Sequence, residues 1–176
     1  MLMAATAFAV LMRSMATTAK HSDGAMVPAS QDAASPGSPV ESSVTVFAGG
    51  ECDTTGQCYS CFRIPALKKI QKTGTLLAFA EARRPGCSDH GDVRIVMRAS
   101  ADNGATWSNI TQVVSETGHT IGNPSPVVDQ RTGIIGLPFS RDNDQAFLTI
   151  TKDEGRTWSP RVNQTGTLKK NARGAW

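Results

Sequence analysis

The sequence lacks the features that mark several common classes of protein. Its apolar run at residues 2–12 is too short to cross a bilayer as a helix. It has no run of lysine or arginine and no stacking pattern of aromatic residues, so its net charge of +3 does not indicate nucleic-acid binding. No window of the chain shows helical periodicity. A membrane-spanning helix, a nucleic-acid interface and a helical bundle are therefore not expected.

The N-terminal part of the chain differs in composition from the rest. The apolar run, followed by small residues at Ala16 and Ala19, predicts a signal peptide over residues 1–20. A disordered start or an unprocessed extension stays open as an alternative, because no basic residue precedes the run. Residues 21–42 are rich in Ser, Pro, Ala and Gly and predict a disordered linker. Residues 43–176 are expected to fold.

Four cysteines without an accompanying metal motif characterise the folded part. An even number of cysteines in a chain expected to be exported predicts disulfides, whose pairing the sequence does not give. Cys58 and Cys61 form a C-x-x-C pair that zinc could use, but no second pair and no histidine pair accompanies them. We therefore predict no metal and no cofactor. The four cysteines are Cys52, Cys58, Cys61 and Cys87.

An eight-residue motif occurs twice, at a spacing typical of a β-repeat. S-A-D-N-G-A-T-W begins at Ser100, and T-K-D-E-G-R-T-W begins at Thr151, an offset of 51 residues (151 − 100). Self-similarity at about 50 residues is typical of propeller blades and of similar stacked β-units. The repeat therefore predicts at least two such units in this chain.

Upstream of this motif the two units differ in length. L-L-A-F-A-E-A-R ends at Arg83 and is similar to I-I-G-L-P-F-S-R, which ends at Arg141, an offset of 58 residues (141 − 83). The first unit therefore holds about seven extra residues (58 − 51) between Arg83 and Arg94. Loops inserted into one copy of a repeat often carry function, so we expect functional residues in this loop.

Each copy of the motif, which we call an Asp box, is predicted to be a hairpin turn rather than a catalytic site. Its aspartate can accept hydrogen bonds from backbone amides across the turn, and its glycine can supply a positive φ. Its Ser or Thr hydroxyl closes the turn, and its tryptophan packs beneath it. The residues assigned this structural role are Ser100, Asp102, Gly104, Trp107, Thr151, Asp153, Gly155 and Trp158.

Short apolar segments predict the secondary structure. They are rich in Val, Ile, Leu and Phe and are bounded by turn residues, as antiparallel strands are. The predicted strands are Ser43–Ala48, Thr75–Ala80, Val93–Ala99, Ile134–Phe139 and Ala146–Ile150. The fold class is therefore predicted to be all-β and built from antiparallel units.

Three short motifs precede the two Asp boxes. They are F-R-I-P at Phe62–Pro65, A-E-A-R ending at Arg83, and S-D-H-G beginning at Ser88. Their order and spacing resemble the N-terminal part of the sialidase (neuraminidase) family, of the exo-alpha-sialidase type, over about residues 43–176. The resemblance implies a six-bladed β-propeller, of which this chain would hold about the first two to three blades. It also implies retaining hydrolysis of terminal sialic acids on glycoproteins, glycolipids such as gangliosides, and oligosaccharides.

The resemblance implies a role for each matching residue. Arg63 would be the first arginine that binds the substrate carboxylate, and Arg83 a further active-site arginine. Asp89 would be the acid/base group, Glu81 a supporting acid, and Asn123 a substrate contact. Without the family, two simpler interpretations stay open: Arg83 as a surface charge, and Asp89 or Asp92 as a residue that caps a turn.

These residue types suit the implied chemistry. A planar guanidinium binds a carboxylate through two parallel hydrogen bonds, which a lysine cannot form. In an oxocarbenium-like transition state the departing oxygen needs a proton from a carboxylic acid. Asp89 lies in the inserted loop that the repeat alone identified. The repeat and the resemblance therefore indicate the same loop.

The chain departs from the family in one respect that bears on activity. The resemblance implies a tyrosine nucleophile and further arginines, and the only tyrosine here, Tyr59, precedes F-R-I-P and does not match the nucleophile. We therefore expect the 176 residues alone to be a fragment, a truncated product or a degenerate paralogue without hydrolytic activity.

The implied partners are sialylated glycoconjugates, with no nucleic acid and no membrane span, and no oligomeric state is predicted. The implied location is secreted, lysosomal or cell-surface. The open alternative to the enzyme is an Asp-box β-domain that binds a glycan or a protein without hydrolysis.

Topology predicts where the site lies. Because consecutive hairpin loops lie at opposite ends of a sheet, Arg63, Arg83 and Asp89 are expected to converge at the end opposite both Asp boxes. The resemblance places the inserted loop beside the F-R-I-P strand, so Cys87 is expected near one of the other three cysteines.

Overall fold

The computed structural model describes residues 8–10 and 43–168, and their fold is all-β, as predicted. The predicted signal peptide and linker lie outside the described residues apart from Phe8–Val10, and so do residues 169–176. The elements are β1 Phe8–Val10, β2 Val44–Phe47, β3 Cys61–Lys69, β4 Leu76–Arg84, β5 Asp92–Ser100, β6 Thr111–Val114, β7 Ile121–Gly122, β8 Val127–Val128, β9 Ile135–Arg141, β10 Gln145–Thr151, β11 Val162–Asn163 and one helical turn, α1 Thr165–Leu168.

The strands from β3 to β11 form two successive antiparallel sheets, and β1 and β2 form a separate two-stranded sheet. The first sheet has the order β3-β4-β5-β6, and the second has the order β11-β10-β9-β7, with β8 also paired to β9. β1 pairs with β2. Each sheet is built around one long hairpin, β4–β5 in the first and β9–β10 in the second. The five predicted strands are confirmed as β2, β4, β5, β9 and β10, with ends that differ by up to four residues.

Strand β3 contains F-R-I-P and was not among the strands predicted from apolar composition. It carries a proline and two lysines, which are depleted in strands. Arg63 lies opposite Glu81 and Ala66 lies opposite Phe79, so one extra residue bulges out of β3 between them. Ile64 in this bulge has a φ of 50°, a rare conformation for a β-branched residue. The bulge removes Pro65 from the regular ladder, which explains how a proline is accommodated there.

Alternation along β4 divides its side chains between two cores. Leu77 and Phe79 are fully buried in the cluster shared with the second sheet. The alternating alanines of β4, Ala78, Ala80 and Ala82, face the other side of the first sheet. Glu81 and Arg83 continue the Leu77–Phe79 series toward the end of the strand, because successive side chains alternate between faces. The Glu81 carboxylate and the Arg83 guanidinium of the A-F-A-E-A-R pattern therefore lie on the same face of the sheet as the core residues Leu77 and Phe79.

The core between the sheets is apolar and draws on both of them. Burying each large side chain of this kind contributes about 1.5–3 kcal/mol. Its buried members are Ile70, Leu77, Phe79, Ile95, Met97, Ile121, Ile135, Leu137, Phe139 and Phe147.

The outer face of the first sheet is covered by the segment 44–60. Phe47 and Tyr59 pack on its alanines and on Val96. Arg98 forms an ion pair with Glu51 of the covering segment at 2.8 Å. The first sheet is therefore buried on both faces.

The two Asp boxes form turns with matching hydrogen bonds. In the first, the Ser100 hydroxyl donates to Asp102 at 2.7 Å and the Thr106 amide donates to the same carboxylate at 2.9 Å. In the second, Thr151 donates to Asp153 at 2.7 Å and the Thr157 amide donates at 2.9 Å. Gly104 and Gly155 have φ values of 91° and 85°, which only glycine adopts readily.

Candidate active site

Three of the sequence-predicted residues meet at one end of the first sheet. The Arg63 guanidinium lies 2.7 Å from the Asp89 carboxylate, and the Arg83 guanidinium lies 2.5 Å from the same oxygen. Asp89 belongs to the loop between β4 and β5, which is the inserted loop. Ser100 pairs with Leu76 at the opposite end of this hairpin, so the first Asp box is remote from the site. The predicted convergence opposite the Asp boxes is confirmed for these side chains; we call this end the site end.

Arg83 is a buried anchor, and its interpretation as a surface charge is wrong. Its side chain is 4% exposed. Its Nη1 donates to the carbonyls of Cys87 and Ser88, each at 3.1 Å, as well as to Asp89. Burial lowers the pKa of Arg83, but its hydrogen bonds to Glu81 and Asp89 outweigh burial and raise that pKa. The guanidinium stays charged and holds three consecutive residues of the inserted loop.

Glu81 is as buried as Arg83 and binds it directly. Its Oε2 accepts hydrogen bonds from Nη2 of Arg83 at 2.6 Å and from Nε at 3.2 Å. Removing either partner would leave the other charge buried and unpaired, which is the costly case for a buried ion pair. The two residues therefore act as one unit at the base of the site.

Asp89 is the exposed member of the group, with 66% of its side chain accessible. The hydrogen bond from Arg83 and the charges of Arg63 and Arg83 lower the pKa of Asp89 below its ordinary value. The carboxylate is therefore ionised at neutral pH in this conformation. Arg63 is itself 49% exposed, so both ends of the Arg63–Asp89 pair face solvent.

Asn123 lies at the site end but its side chain contacts other residues. It donates to the Ser140 hydroxyl at 2.8 Å and to the side-chain amide oxygen Oδ1 of Asn143 at 3.0 Å. Its backbone amide, in contrast, donates to Oε1 of Glu81 at 2.8 Å. The structure thus brings Asn123 to the Glu81–Arg83 unit through its backbone.

Two disulfides restrain the backbone of this region. Cys61 of β3 is bonded to Cys87 of the inserted loop, which confirms the expected proximity of Cys87 to another cysteine. Cys52 is bonded to Cys58 in the covering segment. All four cysteines are therefore oxidised, and none offers a thiolate for the zinc alternative. Within residues 43–168, no cluster of metal-ligating side chains and no helix long and apolar enough to cross a membrane is present.

The inserted loop has a second anchor that the sequence did not reveal. The Gly91 amide donates to the Thr120 hydroxyl at 3.0 Å, and the Val93 amide donates to the His119 carbonyl at 3.3 Å. Asp92 at the end of the loop pairs with Arg94 at 3.0 Å. The contacts to Thr120 and His119 are long-range, so no local sequence pattern predicts them.

Tyr59 lies away from the site. Its side chain is buried on the outer face of the first sheet, with the residue 1% exposed. Burial and the hydrogen bond to Asp53 raise the pKa of Tyr59. The Tyr59 hydroxyl is thus buried and hydrogen-bonded to a carboxylate, on the face of the first sheet opposite to Glu81 and Arg83.

Comparison with known proteins supports the resemblance to sialidases. No protein-family model matches the chain. An exo-alpha-sialidase of Arthroderma benhamiae is 31% identical over 156 residues, covering 69% of this chain and 37% of the relative. An exo-alpha-sialidase of Aspergillus fumigatus is 33% identical over 147 residues, covering 65% and 36%. Sialidase-2 of Mus musculus is 32% identical over 136 residues, with the same coverage of 65% and 36%.

Solved structures agree on the fold. The Hadza microbial sialidase Hz136 has a TM-score of 0.56 at 23% identity, covering 61% of this chain and 27% of that protein. Trypanosoma rangeli sialidase, in complex with 2,3-difluorosialic acid, has a TM-score of 0.55 at 16% identity, covering 70% and 25%. The two sheets thus have the fold of part of a sialidase β-propeller. The chain is homologous to sialidases, and it spans little more than a third of the length of the curated relatives it matches, 37% and 36% for the two fungal enzymes.

Proposed function

We propose that this chain carries the acid group and the first carboxylate-binding arginine of an exo-alpha-sialidase, a retaining glycoside hydrolase acting on terminal sialic acids of glycoproteins, glycolipids and oligosaccharides. In this proposal Arg63 binds the substrate carboxylate and Asp89 is the acid/base group. The observation that carries it is the position of Asp89, 2.7 Å from Arg63 on a loop inserted into only one of the two repeats. The fungal relatives named exo-alpha-sialidase support the reaction class.

The exposed Arg63–Asp89 pair suggests how a substrate would enter. An exposed ion pair contributes little to stability, so a ligand carboxylate can replace Asp89 on the Arg63 guanidinium. This exchange would neutralise one of the two cations that lower the pKa of Asp89, and that pKa would then rise. Asp89 would become better able to hold the proton that the departing oxygen needs.

Retention of configuration needs a nucleophile as well as an acid. Asp89 would protonate the leaving oxygen in the first step and, as a base, activate water in the second. Tyr59 is buried against Asp53, so this chain's only tyrosine is not that nucleophile. Acting alone, residues 1–176 are therefore proposed to bind sialosides without turning them over, which favours a glycan-binding role for the isolated chain.

We further propose the domain arrangement and the location. Residues 43–176 would be the N-terminal part of a sialidase-type propeller, after a signal peptide at 1–20 and a linker at 21–42. The two disulfides support an oxidising compartment, which is consistent with a secreted, lysosomal or cell-surface protein.

Binding to the isolated chain tests this proposal. Titration of the isotope-labelled protein with N-acetylneuraminate should shift the amide signals of residues 88–90, with a dissociation constant on the order of 1 mM, equivalent to about 4 kcal/mol. Arg63→Ala should abolish these shifts. Arg131→Ala is the matched control, because Arg131 is an exposed arginine in the turn before β9, at the Asp-box end. Equal shifts in the Arg63→Ala variant, or turnover of sialyllactose by the purified chain, would contradict the assignments of Arg63 and of Tyr59 respectively.

A further inference from the structure

One buried carboxylate joins the two sheets at the site end. Oε2 of Glu81 accepts both hydrogen bonds from Arg83 of the first sheet. Oε1 accepts the backbone amide of Asn123, the residue that follows β7 of the second sheet, at 2.8 Å. The Glu81 side chain is 4% exposed, so little water reaches it. Its carboxylate is therefore fixed from both sheets at once.

Gly122 leaves the space that this carboxylate occupies. A Cβ atom added at Gly122 would lie 2.5 Å from Oε1 of Glu81 and 3.1 Å from its Cδ. Any other residue at this position would displace the carboxylate. Asn123 has a φ of 56°, and its side chain turns to Ser140 while its amide reaches Glu81. The contact to Glu81 thus depends on the backbone of Asn123 and on the missing side chain of Gly122.

The position of Glu81 is transmitted to the inserted loop by one rigid group. A guanidinium is planar, so fixing its Nε–Nη2 edge also fixes the direction of Nη1. The Nε–Nη2 edge of Arg83 binds Glu81, and its Nη1 binds Cys87, Ser88 and Asp89. A displaced Glu81 carboxylate would therefore turn the group that holds the loop.

We propose that Gly122 and the backbone amide of Asn123 are positioning elements of the site, which fix Glu81 and, through Arg83, the loop that carries Asp89. Neither contacts Asp89, so they act through another residue. The inference deepens the proposed function, because it concerns the residue assigned there as the acid. It assigns Gly122 and the Asn123 backbone of the second sheet a part in the site, where the sequence motifs indicated only the Asn123 side chain as a substrate contact.

The test measures the site without requiring substrate or turnover. In Gly122→Ala, the atom that must give way is the end of a side chain, so the protein should stay folded while Glu81 moves. We expect the carboxyl pKa of Asp89, measured by carbon NMR titration, to rise toward its ordinary value, and amide exchange at residues 88–90 to accelerate. Asn123→Gly keeps the amide and the positive φ, so both readings should match the unmodified chain.

Gly136→Ala is the matched control on the same sheet. A Cβ there would lie 3.6 Å from Cδ1 of Leu148, an ordinary contact, so neither reading should change. A folded Gly122→Ala variant with an unchanged Asp89 pKa and unchanged exchange would overturn the proposal. So would an equal effect of Asn123→Gly or of Gly136→Ala.

A compensating substitution covers the case in which Gly122→Ala does not fold. Glu81→Asp shortens the side chain by one methylene and withdraws the carboxylate from the added methyl group. The double variant should then fold, and failure to restore folding would count against Glu81 as the residue that Gly122 accommodates. Because none of these readings involves a sialoside, a failure of the proposed function would leave them unaffected and would be recognised separately.

Discussion

The two sheets carry equivalent arginines in different surroundings. Arg83 pairs across its hairpin with Val93, and nine residues lie between them (93 − 83 − 1), whereas Arg141 pairs with Gln145 across three (145 − 141 − 1). The Arg83 side chain is 4% exposed and holds the inserted loop. The Arg141 side chain is 23% exposed and pairs with Glu116 at 2.8 Å. The arginine of the longer hairpin is thus a buried anchor of its loop, whereas the arginine of the shorter hairpin belongs to a partly exposed ion pair.

The opposite ends of the two sheets have not diverged in this way. The two Asp boxes have the same hydrogen-bond pattern, with hydroxyl-to-aspartate distances of 2.7 Å in both. They differ in their tryptophans. Trp158 of the second box lies edge-on to Phe79 of the first sheet, with ring centroids 6.1 Å apart. Trp107 of the first box donates to the Gly104 carbonyl at 3.1 Å, whereas the buried Nε1 of Trp158 has no hydrogen-bond partner among the described residues. The repeat therefore preserves the turn that closes each unit and varies the loop at the site end, as expected where a scaffold and a site are separated.

Replacing the aspartate of the first hairpin loop by asparagine should have the largest effect on hydrolysis, and the same change in the second loop serves as its control. In a chimera where residues 43–168 replace the matching part of the Aspergillus fumigatus enzyme, Asp89→Asn should slow hydrolysis of sialyllactose by roughly 10²–10⁴, because the leaving oxygen loses its acid. Asp142→Asn, in the second hairpin loop, should change it little. Activated aryl sialosides need little protonation and should be affected much less by Asp89→Asn. Equal losses on both substrates would show that Asp89 is not the acid.

Removing the disulfide that holds the inserted loop should lower the free energy of unfolding more than removing the other disulfide does. Chain entropy predicts a loss of about 3.5 kcal/mol for a closed loop of this length. Cys61→Ser with Cys87→Ser opens a sequence separation of 26 residues, while Cys52→Ser with Cys58→Ser opens only 6. The second pair should cost about 2 kcal/mol. Denaturant unfolding of both double variants measures the difference, and the reverse order would mean that the Cys61–Cys87 bond does not restrain the loop.

Arg63, which lies beside the bulge of β3, should give a smaller effect that is confined to substrate binding. The second sheet has two short strands, β7 and β8, in place of β3. In the same chimera, Arg63→Lys should weaken binding of sialosides by about 1–3 kcal/mol, because lysine cannot form the bidentate contact. Arg131→Lys should leave the inhibition constant for N-acetylneuraminate unchanged. No loss in Arg63→Lys would argue that the carboxylate binds elsewhere.

The sequence predicted the scaffold better than the connections within the site. The repeat located the inserted loop, and strand alternation together with hairpin order placed Asp89 at the end opposite Ser100. It did not predict that Arg83 would be buried or that the Asn123 amide would bind Glu81. Both depend on packing between the two sheets, and Asn123 and Glu81 are 42 positions apart in the sequence. No pattern within one strand encodes such a contact, although the glycine beside Asn123 was a usable signal for close approach.

The smallest predicted effect tests whether the Asp-box ends are equivalent. Hydrogen bonds from Thr106 and Ser100 hold the pKa of Asp102 at about 2, and those from Thr151 and Thr157 hold the pKa of Asp153 at about 2. An unfolded aspartate has a pKa of about 3.9.

Both folded pKa values are depressed, so each carboxylate stabilises the fold above pH about 4 and loses this contribution as the pH falls toward 2. Asp102→Asn and Asp153→Asn should therefore flatten the acid side of the pH–stability curve by similar amounts. At neutral pH Asp153→Asn should cost more, because its box packs on the first sheet: a Cβ at Gly155 would lie 2.5 Å from Cε of Met97. Urea unfolding from pH 2 to 7 separates the two contributions. If one variant removed nearly all of the acid dependence, the two turns would not be electrostatically equivalent, and the two sheets would also differ at their Asp-box ends.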